Sequence, residues 1–229
     1  MKIILINLVG ILAICAALGF FWYRTELATS TRMADARGRA ESIQARLDSC
    51  LVVVTRRHRM AEAMKITYDL SDVEAKYYSD IFDEFAQKYG VPWEVYPAVI
   101  RVESNFRTTL KSAKGAKGLM QVLEGTAKEV CGKIGVRYVA EETLWNDLIN
   151  LVIGLTYLSE NIASDTAGGD DAVRHGIQCY IGGPDYVKSI KYSAEASKYI
   201  AQYKTTIWAE YVKLGYIYKG VIQEEKNGK

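Results

Sequence analysis

Proline is scarce in this chain, three in 229 residues, and no stretch is rich in serine and glycine or in glutamine. That composition argues against long disordered linkers. Histidine is scarcer still: His58 and His175 stand far apart with no companion ligands, so metal chemistry is not expected. Neither sign of charge dominates. Twenty-nine basic residues against 27 acidic ones leave a net charge of +2, too small to attract nucleic acid. No phosphate-binding loop, nucleophile elbow or internal repeat is present, and nothing calls for a cofactor. Gly168-Gly169-Asp170-Asp171 is acidic, but it lacks the alternating carboxylates and closing Glu of a calcium loop and reads as a turn followed by a helix start. Of the four cysteines, Cys131 and Cys179 could pair in an oxidising compartment, leaving Cys50 over and Cys15 inside an apolar run; small buried free thiols are the alternative.

Charge is missing altogether from Ile3 to Tyr23, a run broken only by Asn7. As a helix it would reach about 31 Å, roughly the hydrocarbon thickness of a bilayer. It is longer than the apolar stretch of a signal peptide, and Phe20-Phe21-Trp22-Tyr23 ends it as an interfacial aromatic cluster. The expectation is an N-terminal transmembrane helix, with residues 1–24 as anchor. Lys2 precedes the span, whereas Arg24, Arg32, Arg37 and Arg39 follow it, so a bare count of basic residues would keep the rest of the chain in the cytoplasm.

Residues 25–66 are rich in Ala, Arg, Glu, Met and Leu, with Leu47, Leu51 and Val54 at helical spacing, and read as a juxtamembrane helical spacer. Its basic cluster Arg56-Arg57-His58-Arg59 reads as a solvated face, with contact to anionic lipid or glycan as the alternative. Residues 67–229 form the expected catalytic domain and its helical tail. Ser71-Asp72-Val73-Glu74 is a capping-box pattern; Tyr78, Phe82, Phe85 and Tyr89 then recur at helical spacing until Gly90. Val91-Pro92 introduces a helix carrying Val95, Val99, Ile100 and Val102, in which Pro97 sits just past the first turn. Thr126–Ile134, Asn150–Ile162, Asp171–Cys179 and Ala194–Leu214 are helical in pattern, and Gly135–Val139 is the one candidate strand. The fold class is mainly α.

Glu103 closes the apolar run of that second helix and opens Glu103-Ser104-Asn105-Phe106. An acid at the edge of an apolar surface should have its charged form disfavoured, holding a proton near neutral pH for general-acid chemistry. Ser112-Ala113-Lys114-Gly115-Ala116-Lys117-Gly118-Leu119-Met120-Gln121 follows. The pair of motifs resembles the soluble lytic transglycosylase family, lysozyme-like enzymes that cleave bacterial peptidoglycan. Gly125-Thr126-Ala127, Asn150 to Leu158 and Cys179-Tyr180-Ile181-Gly182-Gly183-Pro184 extend the resemblance over roughly Tyr68 to Ile207. Glu124 stands where the family has Pro, and Ile181 where it has Asn.

The resemblance implies a lysozyme-like helical domain that breaks the β-1,4 bond between N-acetylmuramic acid and N-acetylglucosamine and closes a 1,6-anhydro ring, with Glu103 first as acid and then as base. Two carboxylates are the ordinary arrangement for glycoside cleavage; the nearest later one, Glu124, sits where it would meet a helix dipole instead. Ser104 would cap the helix or bond Glu103, Met120 and Gln121 would line the cleft, and Tyr180 would lie near the acid. Tyr199 and Tyr203 could stack on sugar rings or pack in the core. The implied substrate places the domain in the periplasm, anchored through residues 3–23 to the inner membrane as a single-pass protein, against the charge count. Peptidoglycan strands are the expected partner, with no nucleic acid. The alternatives are a hydrolytic muramidase of the same fold, or a non-catalytic wall-binding spacer with protein partners in an envelope-spanning assembly.

Overall fold

Helix-forming signals run through nearly the whole chain, and the computed structural model follows them. It describes the backbone of residues 2–183 and 194–227; within these, side chains are described from residue 16 onward, apart from 194–197 and 199. The helices are α1 (Lys2–Tyr68), α2 (Asp72–Tyr89), α3 (Val95–Glu103), α4 (Glu124–Ile134), α5 (Ala140–Trp145), α6 (Asp147–Ala163), α7 (Gly169–Gly182) and α8 (Ala194–Lys226). Among the described residues there is no strand, only isolated bridges joining Lys111 to Lys117 and Lys117 to Val122. Gly135–Val139, the candidate strand, is instead an irregular link: Gly135 takes a left-handed conformation that stops α4, with its N–H on the Cys131 carbonyl.

The chain divides into two units, Met1–Thr55 and Arg56–Lys229. In the first, the side chains of residues 16–52 are exposed, Phe20, Phe21, Trp22 and Tyr23 among them. Among the described residues no helix is long and apolar enough to cross a membrane. The expected span, 3–23, rests largely on residues 3–15, whose side chains lie outside the described ones.

The second unit starts earlier than residue 67, the expected start of the catalytic domain. Met60, Ala63, Met64 and Tyr68 recur at helical spacing on the last turns of α1 and are buried in its core. The basic cluster belongs to this unit and is not a solvated face. Arg56 and Arg57 both bond Asp83 of α2, whose carboxylate is 3% exposed, and Arg57 also reaches Asp80 at 3.2 Å. Burial pushes the Asp83 carboxyl up, but the two guanidiniums outweigh it and hold it below the usual range. Arg59 pairs with Glu225 of α8 at 2.6 Å.

Ser71 and Glu74 form the reciprocal capping box that starts α2, and left-handed Gly90 ends it. α3 begins at Val95 after a turn at Trp93, so Pro97 falls inside the first turn, where its missing N–H has no partner to lose. α6 is apolar on most sides and lies at the centre, against α7, α2, α4 and α5, while α3 packs on α8. The buried hydroxyls of Tyr96 and Ser159 join α3 to α6 at 2.9 Å. Cys131 and Cys179 are both buried thiols, and the disulfide between them that the sequence allowed is not formed.

Candidate active site

α3 ends on the Glu103 carboxyl because the backbone turns sharply after it. The N–H groups of Ser104 and Asn105 both close on the Ile100 carbonyl, and Asn105 and Phe106 then take left-handed conformations, φ 53° and 60°. Such a conformation is strained for Phe. It is held by packing: the Phe106 ring lies 5.3 Å from Tyr68 and 5.4 Å from Tyr78. Ser104 is buried beneath the turn, its hydroxyl donating to the Ile100 carbonyl at 3.3 Å. It caps the helix, one of its two expected roles, and lies outside the cavity lining.

The loop after the turn is fixed by one side chain that sequence reasoning did not single out. Asn150, 1% exposed at the start of α6, accepts from the Met120 N–H at 2.9 Å and donates to the Lys117 and Leu144 carbonyls at 2.8 and 3.0 Å. Gly118 is required beside it: φ is 74°, and a Cβ there would lie 2.5 Å from the Asn150 amide nitrogen. Met120 is fully buried, its Cβ against Gly154 of α6. It is core rather than cleft wall, because the Asn150 bond draws its backbone inward. Gln121, at φ 46°, spends its amide N–H groups on the Leu110 and Gly118 carbonyls, both at 3.0 Å. Its amide oxygen is thereby left as the group able to face a ligand.

Glu103 and Gln121 line a cavity of about 430 Å³ together with Tyr180 and Ile181 from α7, Tyr203 from α8, and Leu110, Lys111 and Lys114 from the loop. That is within the ordinary size of ligand sites. Burial raises the Glu103 carboxyl to about 7, against a hydrogen bond from Tyr203 that lowers it. The same Tyr203 hydroxyl lies 3.4 Å from the Val102 carbonyl. Tyr180 donates to the Met120 carbonyl, not to Glu103, though the carboxylate is near enough to raise the phenol further beyond the effect of its own burial. Thus Glu103, Gln121 and Tyr180 come together as expected, while Ser104 and Met120 support them from behind. The Tyr199 side chain lies outside the described residues. Tyr203, weighed as a stacking or core residue, is the acid's own partner; no local pattern ties it to a residue a hundred positions earlier. Glu124 sits in the first turn of α4, paired with Lys128 at 2.7 Å, and does not line the cavity. Among the described residues no cluster of side chains could hold a metal ion.

Comparison with known proteins points to one family. Residues 80–201 match the transglycosylase SLT domain. The chain is 31% identical over 83 residues to a putative soluble lytic murein transglycosylase of Haemophilus influenzae, covering 36% of this chain and 14% of that protein. It is 32% identical over 82 residues to the soluble lytic murein transglycosylase of Escherichia coli K12, covering 35% and 13%. The chain therefore spans only about one seventh of the length of these relatives. The crystal structure of the 70 kDa soluble lytic transglycosylase of E. coli superposes with a TM-score of 0.50 at 22% identity, over 63% of this chain and 25% of that one, a likeness of fold. With over half its residues inside the matched domain and its acid, loop and tyrosines assembled around one cavity, the chain belongs to the transglycosylase SLT domain family.

Proposed function

We propose that the chain is a lytic transglycosylase that cleaves the β-1,4 bond between N-acetylmuramic acid and N-acetylglucosamine in peptidoglycan, with Glu103 as the single acid and base. The observation that carries the proposal is the Glu103 carboxyl, raised to about 7 at the wall of a cavity that no other acidic side chain lines among the described residues. Near neutral pH it is poised between its two forms, as one group that must serve both roles requires. In the first step Glu103 gives its proton to the glycosidic oxygen as the C1–O4 bond breaks. In the second, its carboxylate takes the proton of the C6 hydroxyl as O6 bonds to C1. The products carry the same atoms as the substrate, and no water is consumed. Gln121 and Tyr180 line the same wall and support a role in seating the sugars. Anchoring through residues 3–23 in the inner membrane, with this domain in the periplasm, completes the proposal and rests on the uncharged run and the location of the substrate.

Purified sacculi digested with the protein supply the test. Fragments ending in anhydro rings are expected, and Glu103→Gln is expected to abolish them while the fold is kept. Fragments heavier by one water would assign a hydrolase instead, and unchanged release by Glu103→Gln would remove Glu103 from the reaction.

A further inference from the structure

A second cavity lies in the unit Arg56–Lys229, apart from the one that Glu103 lines. It holds about 280 Å³, which is small for a ligand site and suits one ring rather than a strand. Glu94 at the start of α3, Asp170 in the first turn of α7, and Tyr211, Gly215, Tyr216 and Lys219 of α8 line it. None of these lines the first cavity. Glu94 and Glu103 stand at opposite ends of α3, and Tyr211 follows Tyr203 by eight residues, about 12 Å along α8.

Two features of this cavity have no explanation in packing. Gly215 is in the interior of α8, where glycine weakens a helix, yet a Cβ there would meet nothing within 4 Å. Neither a close neighbour nor a left-handed backbone requires it; what it preserves is open space in the cavity. Tyr216 beside it is 73% exposed. Tyr211 is fixed from behind, its ring 4.9 Å from that of Trp208 and its hydroxyl donating to Asp170 at 3.4 Å. The two acids alone are accounted for by the helix starts they occupy, where a carboxylate meets the positive end of the dipole. The glycine and the exposed ring are not.

Charge decides what such a space can take. Lys219 opposes a cation, and Glu94 with Asp170 opposes an anion. Burial raises the Glu94 carboxyl, and the Lys219 charge is near enough to act against that rise. A neutral ligand rich in hydroxyl groups satisfies all of them: carboxylates accept, the ammonium group donates, and tyrosine hydroxyls do either. The C–H face of the same ligand packs on a tyrosine ring. We infer that this cavity is a second saccharide site, which takes one neutral sugar residue of a glycan. It goes beyond the proposed reaction and does not depend on cleavage at Glu103.

The test titrates the full chain, in a detergent without a sugar headgroup, with the β-1,4-linked tetramer of N-acetylglucosamine. Glu103→Gln is used so that the ligand stays uncut, and amide NMR shifts are read separately at residues 215–219 and around position 103. Saturable shifts at 215–219 are expected. Tyr216→Ala, at an exposed position, should weaken that saturation about tenfold. Gly215→Leu, which fills the space and removes a helix-weakening glycine, should abolish it and leave the response around position 103 unchanged. The deacetylated tetramer, which is cationic, should bind more weakly at 215–219 than the neutral one. Absence of shifts there, shifts that survive both substitutions, or binding of the cationic tetramer as tight as that of the neutral one would overturn the second site. Cleavage of sacculi is scored separately with Glu103 intact: saturation at 215–219 without cleavage fails the proposed reaction and keeps the second site, and cleavage without saturation does the reverse.

Discussion

Replacing Glu103 by Gln should do more than stop chemistry; it should stabilise the protein, and only above the pH at which a free carboxyl ionises. The folded protein holds this proton up to about 7, whereas the unfolded chain releases it near 4.5. Below 4.5 both states are protonated and the residue adds no pH dependence. Between the two values the unfolded chain loses its proton first, so stability falls as pH rises, and above 7 the full cost is present. The difference of about 2.5 units corresponds to about 3 kcal/mol. Gln has nearly the same shape, carries no charge and can still accept from Tyr203. The variant should therefore match the wild type at pH 4 and exceed it by about 3 kcal/mol at pH 8.5, or about 6–12 °C in Tm for a unit of this size. Unfolding by urea followed through tryptophan fluorescence suits the measurement, because Trp93 is buried in the unit concerned. A gain of equal size at every pH, or none at pH 8.5, would refute burial as the cause of the raised carboxyl.

Three further outcomes follow from the same geometry. Tyr203→Phe removes the hydrogen bond that favours the charged form of Glu103, so the alkaline limb of the rate profile should move up by as much as about one pH unit. Asn150→Ala leaves the Met120 N–H and the Lys117 and Leu144 carbonyls without their partner, which should cost about 3 kcal/mol and lower Tm by about 6–12 °C. Asp83→Asn leaves Arg56 without its countercharge and Arg57 with only the more exposed Asp80 and Glu84, and should cost about 2 kcal/mol at neutral pH in urea titrations. Because the Asp83 carboxyl lies below its ordinary range, that contribution is present above the ordinary value and lost as pH falls through the depressed one, so the two proteins should converge in acid.

Features set within a few residues were legible in the sequence. Ser71 and Glu74 cap each other across one turn, Gly90 stops α2, and the apolar run before Glu103 announces a desolvated acid. Contacts made across the chain were not. Arg56 and Arg57 look like any basic helical face, because nothing near them in sequence reveals that a buried Asp83 lies opposite. Met120 stands in a motif whose neighbours reach the cavity, yet its direction is decided by Asn150, thirty residues on. Tyr203 sits on a helix with several other tyrosines, and only the docking of α8 on α3 distinguishes it.

That docking also dictates when the candidate site can be complete. The hydroxyl that meets Glu103 is made about a hundred residues after it, a lag of about 5–20 s at ordinary speeds of translation. Until α8 has left the ribosome and settled, the carboxyl lacks its neighbour and the cavity lacks a wall. Under the proposed function, a catalyst built this way is inert while it is being born, and ripens only once its late helix has arrived.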